Sequence, residues 1–150
     1  MLLFHPKSVD FAESPLPGVR SITIDRKADV LAEEWSDAGP HQVFCDATRL
    51  RTVVRIVQQL DVGDAANLIT AIVPGVQEQL RFQANINNAS RGCAVSMLAC
   101  VVSVITELPP APSSLPVPGT GSVSRIAMRT ITFFAVSTSG FGDPVQTAPL

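Results

Sequence analysis

The stretch QLRFQANIN at residues 79–87 alternates strictly between apolar and polar side chains. A period of two is typical of a β-strand with one face in a core and the other in water. The apolar face consists of Leu80, Phe82, Ala84 and Ile86. The pair Pro74-Gly75 ahead of this stretch indicates a turn. Residues 79–87 therefore predict a strand of an antiparallel sheet.

Further strands are predicted on both sides of this one. Residues 51–60 alternate as well, and residues 19–25 and 42–48 are shorter candidates. Two later stretches, CAVSMLACVVSVIT at 93–106 and IAMRTITFFAV at 126–136, are apolar on both faces. A strand with that pattern usually lies between protein on both sides. Since a small antiparallel domain normally leaves one face in water, we expect a helix or another subunit to cover the second face.

One helix is predicted at residues 28–38, ADVLAEEWSDA, because helix formers are frequent there and Leu31 and Trp35 are four residues apart. Gly39 and Pro40 would end it. The predicted fold class is therefore mainly β, a small antiparallel domain with one flanking α-helix and a long Pro-rich loop.

The Pro-rich segment occupies residues 109–122, PPAPSSLPVPGTGS. It has the composition of a linker, but only 28 residues, 123–150, follow it, and they are too few for a second core. We expect one domain over residues 1–150, with 109–122 as an extended loop between two strands of one sheet. Residues 64–72 are predicted to form either a short helix or a loop.

The composition combines a core-rich chain with few charges. The chain is 46% hydrophobic and only 16% charged, whereas soluble domains are about 25% charged. Eleven Lys and Arg against 13 Asp and Glu give a net charge of −2, which argues against disorder and against a basic nucleic-acid surface. The apolar run at 93–105 is far shorter than the roughly 20 residues of a membrane helix, so no membrane partner is expected.

No catalytic or metal-binding pattern stands out. The three cysteines, Cys45, Cys93 and Cys100, are expected to be reduced core thiols. His41 and Cys45 would share one face of a strand, but Asp46 would point away and could not orient the imidazole, which disfavours a nucleophilic site. A zinc site built from the same residues lacks ligand spacing typical of such sites. We expect neither an enzyme nor a bound cofactor.

The order of these elements resembles that of bacteriophage tail tube proteins and related virion tail components. The resemblance begins with VRSITIDRKADVLAEEWSDAG at 19–39 and HQVFCDATRLRTVVRIVQQL at 41–60. It continues through VPGVQEQLRFQANI at 73–86 and ends with the two long apolar strands, the second of which closes on RTITFFAVSTSG at 129–140. It covers most of residues 19–140 as a pattern of elements rather than as a catalytic fingerprint.

The resemblance implies a small antiparallel β-sandwich or barrel with one flanking α-helix. It also implies a structural virion protein, assembled in the host cytoplasm. Six copies would form a ring, and rings would stack into a tube through which DNA passes without specific binding. The partners would be other copies of this chain and other tail proteins. Acidic residues in the lumen or at an interface would repel the phosphates; the candidates are Asp29, Glu33, Glu34 and Asp37. The candidate inter-ring loop comprises Pro109, Pro110, Pro112, Pro116, Pro118, Gly119 and Gly121.

Other functions are compatible with the same pattern. The stretch at 93–105 is unusually apolar for a tube wall, which would suit a tail terminator or a baseplate component. Outside this class, the apolar strands could enclose a pocket, as in a small-ligand-binding β-barrel. An enzyme that uses Cys45 is the third alternative.

Overall fold

The computed structural model describes residues 2–4, 6–35, 39–40, 42–61, 72–85, 92–108, 126–140 and 142–150. Within these ranges the chain forms nine β-strands. They are β1 (Leu2–Phe4), β2 (Ser8–Phe11), β3 (Ser14–Pro15), β4 (Val19–Trp35), β5 (Gln42–Asp61), β6 (Gln77–Asn85), β7 (Gly92–Glu107), β8 (Ile126–Val136) and β9 (Gln146–Pro149). The fold is mainly β, as predicted.

All strand pairs are antiparallel and belong to one sheet with the order β1-β4-β5-β8-β7-β6-β2-β3. Strand β9 pairs with the first part of β7, next to the place where β8 ends. Strands β7 and β8, which flank the Pro-rich segment, pair with each other up to Glu107 and Met128. The residues of the predicted inter-ring loop, between 109 and 122, lie outside the described part of the chain.

The sheet curls back on itself. Strand β1 pairs with β4 near one end of the strand order, and β2, only a few residues later, pairs with β6 near the other end. The rings of Phe11 on β2 and Phe133 on β8 lie 5.1 Å apart, centroid to centroid. Three strand steps separate β2 from β8, which would amount to about 14 Å in a flat sheet. The sheet therefore wraps around one core.

That core is built from alternate residues of the strands. Leu80, Phe82 and Ala84 are buried, so the alternation of the 79–87 stretch is confirmed for these positions. The other large members include Val9, Phe11, Ile22, Ile24, Val54, Ile56, Val95, Met97, Val101, Ile131 and Phe133. On β7 and β8 only one face is buried, and the opposite face is half-buried or exposed. Among the described residues, no helix covers that second face.

The predicted flanking helix is wrong. Residues 28–35 continue β4 as a strand, which pairs with β5 as far as Trp35 and Gln42. A spacing of four places Leu31 and Trp35 on one side of a helix, but also on one side of a strand. Pairing with β5 satisfies the backbone hydrogen bonds of residues 28–35. This pairing overrides their helical propensity. The end of the predicted helix, 36–38, and most of 64–72 lie outside the described residues.

Candidate assembly surface

The outer half of the β4–β5 hairpin extends beyond the rest of the sheet. Strand β1 reaches only Thr23 of β4, and β8 reaches only Thr52 of β5. Beyond these points, residues 26–35 and 42–51 pair only with each other among the described residues, and we call this ribbon the arm. Ten residues per strand correspond to a length of about 34 Å. The arm is a two-stranded structure with no third strand to support it.

Large apolar side chains on the arm face solvent. Leu31 is 49% exposed, Trp35 59%, Phe44 51% and Leu50 78%. These side chains lie on both faces of the ribbon, since the register places Leu31 and Phe44 on opposite sides. A two-stranded ribbon is marginally stable in water on its own, and exposed apolar surface of this kind commonly marks an interaction site. The arm therefore has the properties of a segment that is covered by a partner.

Charge is separated along the arm. The outer half, residues 31–35 and 42–46, contains Glu33, Glu34 and Asp46 and no Lys or Arg, a charge of −3. We call this half the tip. The inner half, 26–30 and 47–51, carries four basic residues and one acidic residue, a charge of +3. We call this half the base; its charged residues are Arg26, Lys27, Asp29, Arg49 and Arg51.

Polar contacts fasten the base to the rest of the protein. Arg51 donates a hydrogen bond from Nη2 to Asp29 Oδ2 at 2.8 Å, and its guanidinium lies 4.7 Å from the centroid of the Phe134 ring. Arg26 Nη2 donates to Asp143 Oδ2 at 2.8 Å. A hydrogen bond from the Val145 backbone N–H, followed by the contact with Arg26, lowers the pKa of Asp143. These contacts therefore fix the base of the arm to the neighbouring part of the protein.

A groove of about 660 Å³ lies beside this base. Its walls include Arg26, Arg49 and Arg51 from the arm, and Gly140, Gly142 and Pro144 from the segment between β8 and β9. Asp29, Asp143 and the exposed Leu50 also line it. Three arginines against two aspartates give the groove a charge of +1. It is apolar enough to receive an aromatic side chain and positive enough to favour a carboxylate beside it.

A second apolar surface lies on the outer face of β7 and β8. Leu98 pairs with Val136, Cys100 pairs with Phe134, and all four side chains are half-buried. Towards the far end of the two strands the apolar side chains are more exposed: Ile105 is 55% exposed, Ile126 45% and Met128 37%. This is the face for which the sequence predicts a cover.

The predicted acidic residues do not form one cluster. Asp29 lies at the base and is paired with Arg51, whereas Glu33 and Glu34 are exposed at the tip. Four or five residues of strand, roughly 14–17 Å, separate them. Asp37 lies outside the described residues. The sequence predicts a basic stripe at Arg49, Arg51 and Arg55, suited to cross-strand or intersubunit ion pairs, but it does not predict the groove that Arg49 and Arg51 line.

The cysteines do not share one environment. Cys93 is buried, as predicted, but Cys100 is half-buried and Cys45 is exposed on the arm, opposite Glu33. The prediction of a core thiol is wrong for Cys45, because β8 ends before it can cover that part of β5. The described residues contain no group of three potential metal ligands, and His41 lies outside them.

A scan of protein-family models and a search of curated protein sequences find no match to this chain. In the described part of the chain, no helix is long and apolar enough to cross a membrane.

Proposed function

We propose that this chain is a structural virion protein that assembles with copies of itself into rings, six copies to a ring, and that the rings stack into a tail tube for the passage of DNA. The observation that carries the proposal is the arm, a ribbon of about 34 Å that projects from the sheet with its apolar side chains uncovered. The curled sheet is inferred to close into a small barrel, with the N-terminal segment as its seam.

The energetics favour assembly through more than one surface. Covering an apolar side chain of this size completely contributes about 1.5–3 kcal/mol, and half-exposed side chains contribute less. Leu31, Trp35, Phe44 and Leu50 together would therefore supply roughly 4–8 kcal/mol. Association costs at least about 4 kcal/mol and often more. The arm alone supports a weak contact, whereas the arm combined with the outer face of β7 and β8 supports a closed ring.

The charge of the chain is compatible with a conduit for DNA. The net charge is −2, and the four basic residues at the base of the arm are accompanied by Asp29 and Asp143. A wall that is neutral or acidic does not hold phosphates, so a duplex could slide along it. Glu33 and Glu34 remain the candidate lumen or interface residues within this proposal, together with Asp37.

The ligand-binding barrel is less well supported. Phe82, Phe133 and Met97 are almost fully buried in the interior, where they occupy the space that a ligand would need. No described feature favours catalysis at Cys45, so the proposal includes no enzymatic step and no cofactor.

Negative-stain electron microscopy and light scattering of the purified protein over a range of concentrations test the proposal. We expect rings that lengthen into tubes as the concentration rises. Rings that never stack would favour the terminator or baseplate role, since those components end a tube rather than extend it. A monodisperse monomer at the highest concentration would contradict the proposal.

Trp35 provides a solution readout for the same experiment. It is the only tryptophan, and it lies 59% exposed on the tip of the arm. We expect its fluorescence to be red-shifted and readily quenched by acrylamide in the monomer, and blue-shifted and protected after assembly. Assembly without any change at Trp35 would exclude the arm from the interface.

A further inference from the structure

We propose that the acidic tip of the arm of one copy docks into the basic groove at the base of the arm of another copy. The inference rests on the proposed self-assembly and names the two surfaces that meet. It also names the chemistry of the contact: a tip carboxylate, Glu33 on one face of the ribbon or Glu34 on the other, against the guanidinium of Arg49, with an aromatic side chain of the tip placed over Leu50.

The two surfaces carry opposite charges. The tip has a charge of −3 and the groove has a charge of +1. Within the groove, Arg26 and Arg51 are already paired with Asp143 and Asp29. Arg49 is exposed and has no ion pair among the described residues, so it supplies the surplus charge. An arginine in this situation can bind an incoming carboxylate through two parallel hydrogen bonds.

The two surfaces also match in polarity and size. Trp35 and Phe44 are exposed at the tip, next to the acidic residues. Leu50, Gly140, Gly142 and Pro144 give the groove an apolar part, and its volume of about 660 Å³ lies in the range of pockets that hold aromatic groups. An aromatic anchor ringed by charged pairs is the usual composition of an energetically important contact.

The occupant must be a second copy. Glu33 pairs with Cys45, four residues along β5 from Arg49, or about 14 Å of extended strand. A paired ribbon cannot fold back over that distance to place its own tip in its own groove. Because the tip and the groove are different surfaces, each copy can give one contact and receive another, which is the condition for a ring or a filament.

Charge reversal with a mixing step tests the docking. The tip variant E33K/E34K has a tip charge of +1, and the groove variant R49E has a groove charge of −1. Each variant alone opposes like charges, so the concentration needed for half-assembly should rise at least about tenfold. An equimolar mixture restores opposite charges at both kinds of contact, and it should assemble near the wild-type concentration.

Matched controls separate the docking from a general effect of charge. R55E reverses an exposed arginine on the same strand outside the groove, and E13K/E78K reverses two exposed carboxylates away from the tip and from the apolar outer face of β7 and β8. Both should assemble like the wild type. The neutral variants E33Q/E34Q and R49Q should weaken assembly without repulsion, and circular dichroism of every variant should match that of R55E.

The outcomes are distinct. If E33K/E34K and R49E assemble like the wild type, the docking is overturned but the self-assembly is not. The same conclusion holds if the mixture of the two variants fails to assemble. A terminal dimer that is lost in both variants and restored by mixing supports the docking and overturns the proposed tube. A wild type that stays monomeric at every concentration overturns both.

Discussion

The two halves of the β4–β5 hairpin show what determines burial in this protein. In the inner half, Ile22 and Ile56 are fully buried, whereas in the outer half Leu31 and Leu50 are 49% and 78% exposed. Both halves are made by the same two strands, and both have large apolar side chains. The difference is that β1 and β8 flank the inner half and stop before the outer half. Neighbouring strands, rather than local composition, bury the side chains, so the apolar side chains of the arm stay exposed where no third strand flanks it.

Ile56→Ala and Leu50→Ala test this contrast with the largest expected effect. Ile56 is fully buried beside Ile22 and Ile131, its partners in the sheet, so its truncation should lower the free energy of unfolding by about 2–5 kcal/mol. Leu50→Ala should change the stability of the monomer by less than about 0.5 kcal/mol. Urea denaturation at a concentration where the wild type is monomeric measures both. Equal losses would show that the arm is already covered within one chain.

Arg51→Ala tests the boundary between the two halves. Its partners, Asp29 and the Phe134 ring, lie on different strands, so the change should release the base of the arm from the sheet. The ion pair and the cation–π contact are both partly exposed and together contribute on the order of 1 kcal/mol. Amide hydrogen exchange should become faster in residues 26–35 and stay unchanged in 77–85. The control is Arg49→Ala, which removes an arginine two residues away on the same strand.

The pH dependence of the Asp143 contact should give the smallest effect. The pKa of Asp143 is lowered below its usual 3.8, so its contribution to stability is present above that value and is lost as the pH falls through the lower, folded-state pKa. Since Asp143 and Arg26 are both about half exposed, the contribution should be under about 1 kcal/mol. Asp143→Asn should therefore flatten the thermal stability profile between neutral pH and pH 3. An unchanged profile would show that the contact does not hold the arm.

The inner half could be predicted from the sequence because its signal is local. Alternation at 51–60 reports a buried face directly, as it does at 79–85 of β6, and both stretches are strands with that face inside. Strand β4 was predicted only as far as residue 25, because Ala32, Glu33 and Glu34 favour a helix in isolation. Their partners on β5 are about ten residues away along the chain, and local propensity carries no information about them.

The candidate site was harder to predict than the fold for a related reason. Acidic residues 29, 33 and 34 lie within six positions of the sequence, but on β4 they are spread from the base of the arm to its tip. The groove combines Arg49 with Gly140 and Pro144, which are about ninety residues apart in the chain. No sequence motif with a fixed spacing predicts that residues so far apart in the chain lie together. The composition shows that the chain has few charged residues. Part of the apolar surface that accompanies this shortage lies on the arm.

The pairing of β2, near the N-terminus, with β6 has a consequence for the order of folding. Val9 pairs with Phe82, so β2, which can form only a short hairpin with β3, has no long-range partner until β6 has left the ribosome. At about 5–20 residues per second, the 72 residues between 11 and 83 take roughly 4–15 s to synthesise. During that interval Val9 and Phe11 are exposed on a nascent chain whose longest hairpin, β4–β5, is already complete. Pairing of β2 with β6 is thus a late step, and both strands of the arm are synthesised before β6, β7 and β8.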